Sequence, residues 1–185
     1  MPVLVIAEHD NARLKPVSLK TVTAAAAIGD DIHVLVAGSG CSAVADEAAR
    51  IAGIARVVFA DAAEYEHGAA ENLAPLVVKL APGYSHILAA ATTLGKNLIP
   101  RAAAMLDVQP VSDVCAIEAT DRFVRPVYAG NALATVRSGD AIKMMTVRTT
   151  AFDAAAADGG TAGRRRSIRS PPPVRVDSRS SSARS

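Results

Sequence analysis

Tryptophan is absent from this 185-residue chain, and three Tyr and three Phe make it only 3% aromatic. A core without large rings must be filled by aliphatic and alanine side chains, which suits helices packed closely on a sheet. The same scarcity leaves no interleaved aromatics on which nucleic-acid bases could stack. Cysteine is nearly missing too: Cys41 and Cys115 stand far apart and outside any C-x-x-C pattern. That excludes a disulfide scaffold and a cysteine-based zinc site, and reads as two reduced thiols of a cytoplasmic protein. No apolar run approaches the roughly 18 residues that a membrane span needs. The opening MPVLVIAEHD lacks a basic stretch and reaches acidic residues at once, so it reads as a first strand rather than a secretion signal. Also absent are H-E-x-x-H, G-x-S-x-G and the G-x-x-x-x-G-K-[ST] phosphate loop.

Charge is distributed unevenly. The formal net charge is +2, but residues 161–185 (TAGRRRSIRSPPPVRVDSRSSSARS) hold seven Arg, seven Ser and one Asp. The preceding body is therefore acidic, with a net charge of −4. The basic character belongs to the tail, and a nucleic-acid function for the body does not follow from it. The tail has too few apolar side chains to offset the entropy of ordering. The reading is a folded domain over residues 1–158 and a disordered Arg/Ser/Pro-rich tail over 159–185 that binds no specific nucleic acid. Arg, Ser, Pro, Ala and Gly all have GC-rich codons, and the tail makes a poor linker. Its expected origin is therefore out-of-frame translation.

The body alternates two kinds of segment. VLVIA from Val3, DIHVLVAG, IARVVFAD and SHILAAA are short apolar runs suited to strands buried on both faces. Between them lie helical stretches: one capped by Ser18 and stopped near Gly29, CSAVADEAARIAG, GAAENLAPLVVKLAPG with Pro75 inside it, and LGKNLIPRAAAMLD, expected to begin properly at Pro100. This β-α repeat calls for a parallel sheet with right-handed crossovers. From residue 112 the pattern changes to SDVCAIEAT, RFVRPVYAG, ALATVRS and AIKMMTVRTT, separated by connections too short for crossovers. The predicted fold is α/β: a three-layer Rossmann-like sandwich with a mostly parallel sheet, and antiparallel strands added at residues 112–148. Val124, Val127, Leu133, Val136, Ile142, Met145 and Val147 are the apolar positions expected to join its core.

Chemistry-bearing motifs are few. GSGCSA, residues Gly38 to Ala43, follows the second strand and opens a helix, in the relaxed pattern G-x-G-x-x-[GA]. In a nucleotide-binding reading Gly38 makes the tight turn, Gly40 admits a pyrophosphate, Ala43 closes the pattern and Asp61 would reach the ribose. An ordinary turn needing small residues accounts for the motif better. It follows the second strand rather than the first, and its third position is Ala. ATTLGKN, with Lys96, can grip an anion but reads first as a solvated turn. His9, His33, His67 and His86 are scattered, and His33 and His86 sit in strand-like runs. Glu8, His9 and Asp10 adjoin a strand end, where sites gather in such folds. No catalytic and no metal-binding residue is assigned.

Five segments stand out together: VLVIAEHDNARLKPVSLKTVTAA, DIHVLVAG, YSHILAAATTLGKNLIPRAAAMLDV, VSDV and above all RPVYAGNALATVRSGDAIKMMTVRTTAFDAA. They resemble the N-terminal domain of the electron transfer flavoprotein α subunit. The resemblance runs from about residue 3 to about 158. It implies an electron carrier rather than a catalyst. It also implies pairing with a β subunit that holds AMP, and one FAD taking electrons from dehydrogenases such as the acyl-CoA type. In that family the FAD lies mostly in a second domain, of which nothing follows Gly160. The resemblance therefore implies a cytoplasmic scaffold and assembly domain with no cofactor bound to this chain alone, FAD belonging to the complete heterodimer.

Overall fold

The first half of the chain is a regular alternation: β1 (Val3–Ile6), α1 (Pro16–Ala26), β2 (Ile32–Gly38), α2 (Ser42–Ala49), β3 (Ile54–Asp61), α3 (Ala70–Leu80), β4 (His86–Ala90) and α4 (Thr93–Leu106). The second half is strands: β5 (Pro110–Val114), β6 (Ala116–Ala119), β7 (Arg122–Val127), β8 (Ala132–Arg137), β9 (Lys143–Val147) and β10 (Gly163–Ser167). This computed structural model describes residues 1–160 and 162–167. Seven strands form one sheet in the order β10-β3-β2-β1-β4-β9-β5, every neighbour parallel, and β6-β7-β8 form a separate antiparallel sheet.

The apolar runs become central strands because successive side chains leave opposite faces of the sheet. Val3 and Val5 of β1 pack with Val22, Ala24 and Ala25 of α1 and Val44, Ala45 and Ala48 of α2. Leu4 and Ile6 pack on the other side with Leu73, Leu76 and Val77 of α3 and Leu98, Ile99 and Ala102 of α4. Alanine-rich helix faces bring the helices close to the sheet, so Tyr65 and Phe123 are the only fully buried rings of Tyr or Phe among the described residues. The result is the predicted three-layer α/β sandwich.

The element details depart from the sequence reading at several points. Residues 143–147, expected to be antiparallel, run parallel between β4 and β5, with Leu88 opposite Met145 and Val111 opposite Met145. A parallel return needs a crossover of a dozen or more residues. Here residues 115–142 supply it as the three-stranded antiparallel sheet instead of a helix. The antiparallel pairing therefore holds only for residues 116–137. Of the expected core positions, Met145 and Val147 are fully buried, but Leu133 is 68% exposed. Along β8 the inward side chains are Ala134 and Val136, opposite Arg125 and Phe123, and Leu133 points the other way. Helix α4 begins seven residues before Pro100, because Thr92 caps it: the Thr92 hydroxyl accepts the Gly95 N–H at 3.4 Å. Ser18 lies inside α1 rather than at its cap, and Lys15 precedes that helix.

Backbone pairing also continues past the expected domain end at residue 158. Gly160 N–H donates to Arg50 O at 2.8 Å and Ala162 N–H to Ala49 O at 3.2 Å. Gly163–Ser167, expected to be disordered, lies along β3 as an edge strand. An edge offers unpaired N–H and C=O groups to any backbone, whatever its side chains, so composition did not reveal this strand. The rest of the expected tail, residues 161 and 168–185, lies outside the described residues.

Candidate functional site

Strand order reverses between β1 and β4, with β2 on one side of β1 and β4 on the other. In open parallel sheets the loops diverge at such a point, and the crevice outside the carboxyl ends of the strands is where ligands bind. Here a crevice of about 410 Å³ lies beside the loop after β1, bounded by Ala37, by residues 65–68 and by Leu73 and Leu94.

Its floor is tied by the chain's own side chains. The Glu8 carboxylate accepts Lys15 Nζ on Oε1 at 2.9 Å and the Thr92 hydroxyl on Oε2 at 2.6 Å. Thr92 is the cap of α4, so the carboxylate sits one hydroxyl away from that helix's positive end, where a phosphate would bind. The Glu8 backbone is fixed as well: its N–H donates to Ser18 Oγ at 2.8 Å, and the Ser18 hydroxyl donates back to Glu8 O at 3.1 Å.

The neighbouring loop residues are equally engaged. Asp10 Oδ1 accepts the N–H groups of Ala12 and Arg13 at 2.9 and 2.7 Å, an Asx turn that holds its carboxyl below the usual range. Asn11, in the left-handed region at φ +69°, spans three loops: its Nδ2 donates to Glu66 O at 2.7 Å and its Oδ1 accepts Ser39 N–H at 3.1 Å. His9 Nδ1 accepts Asn11 N–H at 3.1 Å, and burial pushes this imidazole below its ordinary value against the opposing Ala37 carbonyl.

The Gly38–Ala43 turn lies next to this network. Gly38 is small because Asn11 passes it: a Cβ there would lie 2.2 Å from Asn11 Oδ1 and 2.7 Å from His9 Cε1. Gly40, at φ +62°, donates its N–H to Asp61 Oδ1 at 2.8 Å. The structure thus brings Gly40 and Asp61 together, but as donor and acceptor to each other. Ala43 is exposed in the first turn of α2 and joins neither. Glu8, Asp10 and Glu66 line the crevice together with Lys15 and His67, and the Glu8 carboxylate occupies the α4 cap through Thr92, where a phosphate would sit. Among the described residues, no three His, Cys, Asp or Glu side chains are grouped to hold a metal ion.

His33 and His86 are built into the fold. His33 bridges Tyr84 OH at 2.9 Å and Asp31 Oδ1 at 3.1 Å. His86 Nε2 donates to Thr120 O at 2.6 Å and its Nδ1 contacts Ser85 Oγ at 2.8 Å, joining the two sheets. Burial lowers the pKa of both. His67 is exposed at the crevice rim, and Lys96, in the first turn of α4, is exposed near Asp113.

A second polar cluster, at the carboxyl ends of β5 and β9, escaped the sequence reading. Asp113 accepts Arg148 Nε at 3.0 Å and a second, shorter contact from Arg148 Nη2. Asp113 N–H donates to Thr146 Oγ1 at 2.9 Å, while its backbone takes φ +61°. Arg148 chiefly, with Lys96 and Arg125 nearby, holds the Asp113 carboxyl below its ordinary range. The signal available was only that VSDV and VRTTAF end strands that turn out to be neighbours.

The comparisons with known proteins agree on one family. The electron transfer flavoprotein domain family matches residues 3–171. The electron transfer flavoprotein subunit alpha of Pseudomonas aeruginosa is 56% identical over 162 residues, which cover 88% of this chain and 52% of that protein. That of Paracoccus denitrificans is 52% identical over 163 residues, covering 88% and 52%. The mitochondrial subunit alpha of Dictyostelium discoideum is 47% identical over 167 residues, covering 86% and 47%. The chain spans about half the length of these curated relatives. No described helix is long and apolar enough to cross a membrane. Sequence, fold and relatives converge: the chain belongs to the electron transfer flavoprotein domain family.

Proposed function

We propose that this chain is the N-terminal assembly domain of an electron transfer flavoprotein α subunit. It pairs with a β subunit, and the complete cytoplasmic heterodimer carries electrons on FAD from dehydrogenases. It holds no flavin itself and is no catalyst. The observation that carries this reading is Glu8. At the switch point, where a fold of this kind would receive a phosphate, the Glu8 carboxylate binds the cap of α4 through Thr92 and is neutralised by Lys15. A flavin needs a preorganised shell of donors, and here the Lys15 ammonium and the Thr92 hydroxyl are already taken up by Glu8.

Co-expression with an electron transfer flavoprotein β subunit tests the pairing. The two proteins should co-purify, and the chain purified alone should show no flavin absorbance. Failure to co-purify, or a near-stoichiometric flavin spectrum from the chain alone, overturns the reading. The alternative, a stand-alone nucleotide module using Gly38, Gly40, Ala43 and Asp61, predicts micromolar heats with AMP, ATP, NAD or FAD that vanish in Asp61→Asn.

A further inference from the structure

The main sheet ends in the edge strands β10 and β5, and the antiparallel sheet in β6 and β8. An edge strand offers unpaired N–H and C=O groups to any further strand unless something in it blocks the approach. Three of these edges are blocked. β5 begins at Pro110, and its ladder shifts between Val111 and Val114, with Asp113 at φ +61°. The β6 ladder shifts between Ile117 and Ala119, around the exposed Glu118. The β10 ladder shifts between Gly163 and Arg166, and its sequence is GRRRS. β8, ALATVR, differs: it has no proline, keeps unbroken register with β7 and is uncharged as far as Arg137. Ser138 N–H donates to Asp121 O, on the β7 side. By alternation along the strand, Leu133, Thr135 and Arg137 turn their N–H and C=O groups away from β7, and all three residues are exposed.

We propose that β8 is a homodimerisation edge. Two copies of this chain pair their β8 strands antiparallel across a two-fold axis at Thr135, which joins two three-stranded sheets into one. In this register Thr135 faces its own copy and Leu133 faces the partner's Arg137. It is the one register that engages all three open residues of each strand, and a slip of two residues in either direction leaves one of them unpaired. The side chains agree with it. A Thr–Thr pair is favourable across a ladder, Leu133 covers the aliphatic stem of the partner's Arg137, and Ala134 meets the partner's Val136. No like charges stand directly opposite each other, and each Arg137 is already held by Asp121 at 2.6 Å.

The test is sedimentation equilibrium of the full chain. The mass should rise from 19.0 kDa toward twice that value between about 1 μM and 1 mM, the range of a small, transient interface. Thr135→Pro removes an N–H that β7 does not use, so it should keep the parent circular dichroism spectrum and stay monomeric. Leu133→Lys puts a second cation opposite the partner's Arg137, and should weaken association about tenfold at low salt and less at high salt. Should Thr135→Pro fail to fold, Leu133→Lys and cross-linking decide. Cross-linking reads the register, in a Cys115→Ser background. Across the axis, Thr135→Cys sets its two Cα atoms about 5.5 Å apart, within disulfide reach, whereas Leu133→Cys leaves them about 14 Å apart. The first should oxidise to a covalent dimer and the second should not. A monomer at every concentration, parent-like association in Thr135→Pro or Leu133→Lys, or equal cross-linking at both positions overturns the proposal. So does a chain that stays monomeric alone but loses co-purification with a β subunit in Thr135→Pro, which would give this edge to that subunit.

Discussion

At Gly95 a single added carbon decides whether α4 can rest on β4. A Cβ there would lie 1.9 Å from Ala90 O and 3.2 Å from Ala89 Cβ, so backbone rather than a flexible side chain must move. Gly95→Ala should destabilise the protein by about 2–3 kcal/mol, the upper range of overpacking, read as a lower melting temperature. Gly29→Ala meets nothing within 4 Å and should change stability by less than about 0.5 kcal/mol. A parent-like Gly95→Ala would mean that the helix start is looser than its contacts imply. Residue identity alone could not separate these two glycines, because the difference is made by the strand lying beneath one of them. The same holds for the site. Glu8, His9 and Asp10 were legible as a polar group at a strand end. Their partners Asn11, Ser18 and Thr92 were not, since an Asn, a Ser and a Thr acquire roles only when loops distant in sequence meet. Gly40 and Asp61 were legible as neighbours, but not as groups that satisfy each other.

Among the elements, the first eight were readable because each announces itself by local periodicity: short aliphatic runs for doubly buried strands, alanine-rich amphipathic stretches for helices. The antiparallel excursion between β5 and β9 was readable as strands but not as a crossover. Pairing partners of a strand are chosen by long-range packing, which a period of two does not encode. What fastens this excursion to the main sheet is Phe123, which has no exposed surface, together with the His86–Thr120 bond. Phe123→Ala should destabilise by about 3–4 kcal/mol, the usual loss for a buried ring. Leu133→Asp on the opposite face of the hairpin, where Leu133 is mostly exposed, should stay within about 0.5 kcal/mol of the parent. Denaturant melts of the two variants check this pair. Val136→Asp should fall between the extremes, because Val136 faces Phe123 across the strands but is only half-buried. A severe loss in Leu133→Asp with a mild one in Phe123→Ala would invert the assignment of faces.

For the molecule as a whole, the buried histidines set how stability responds to pH. His33 and His86 have folded-state pKa values below the ordinary 6.5, with burial the leading cause in each. Asp31 opposes the shift at His33, and the Thr120 carbonyl opposes it at His86. His9 is shifted the same way. Each is therefore neutral in the folded state at a pH where the unfolded chain already takes up a proton. Below 6.5 the unfolded state binds more protons, so unfolding becomes progressively easier as pH falls through this window. Asp113 acts in the same direction at lower pH. Its folded pKa is held below 3.8 by Arg148, so the stabilisation is present above that value and lost as pH falls through it. Melting temperatures should thus be flat from about pH 8 to 7, decline from about pH 7 to 5, and drop again below about pH 4. His86→Gln should make the first decline shallower, leaving the share of His9 and His33, and should leave the second. Asp113→Asn should weaken the second and leave the first, besides lowering stability at neutral pH by about 1 kcal/mol, the value of a half-exposed ion pair. A melting temperature constant down to about pH 5 would show that the histidines protonate in place without opposing the fold.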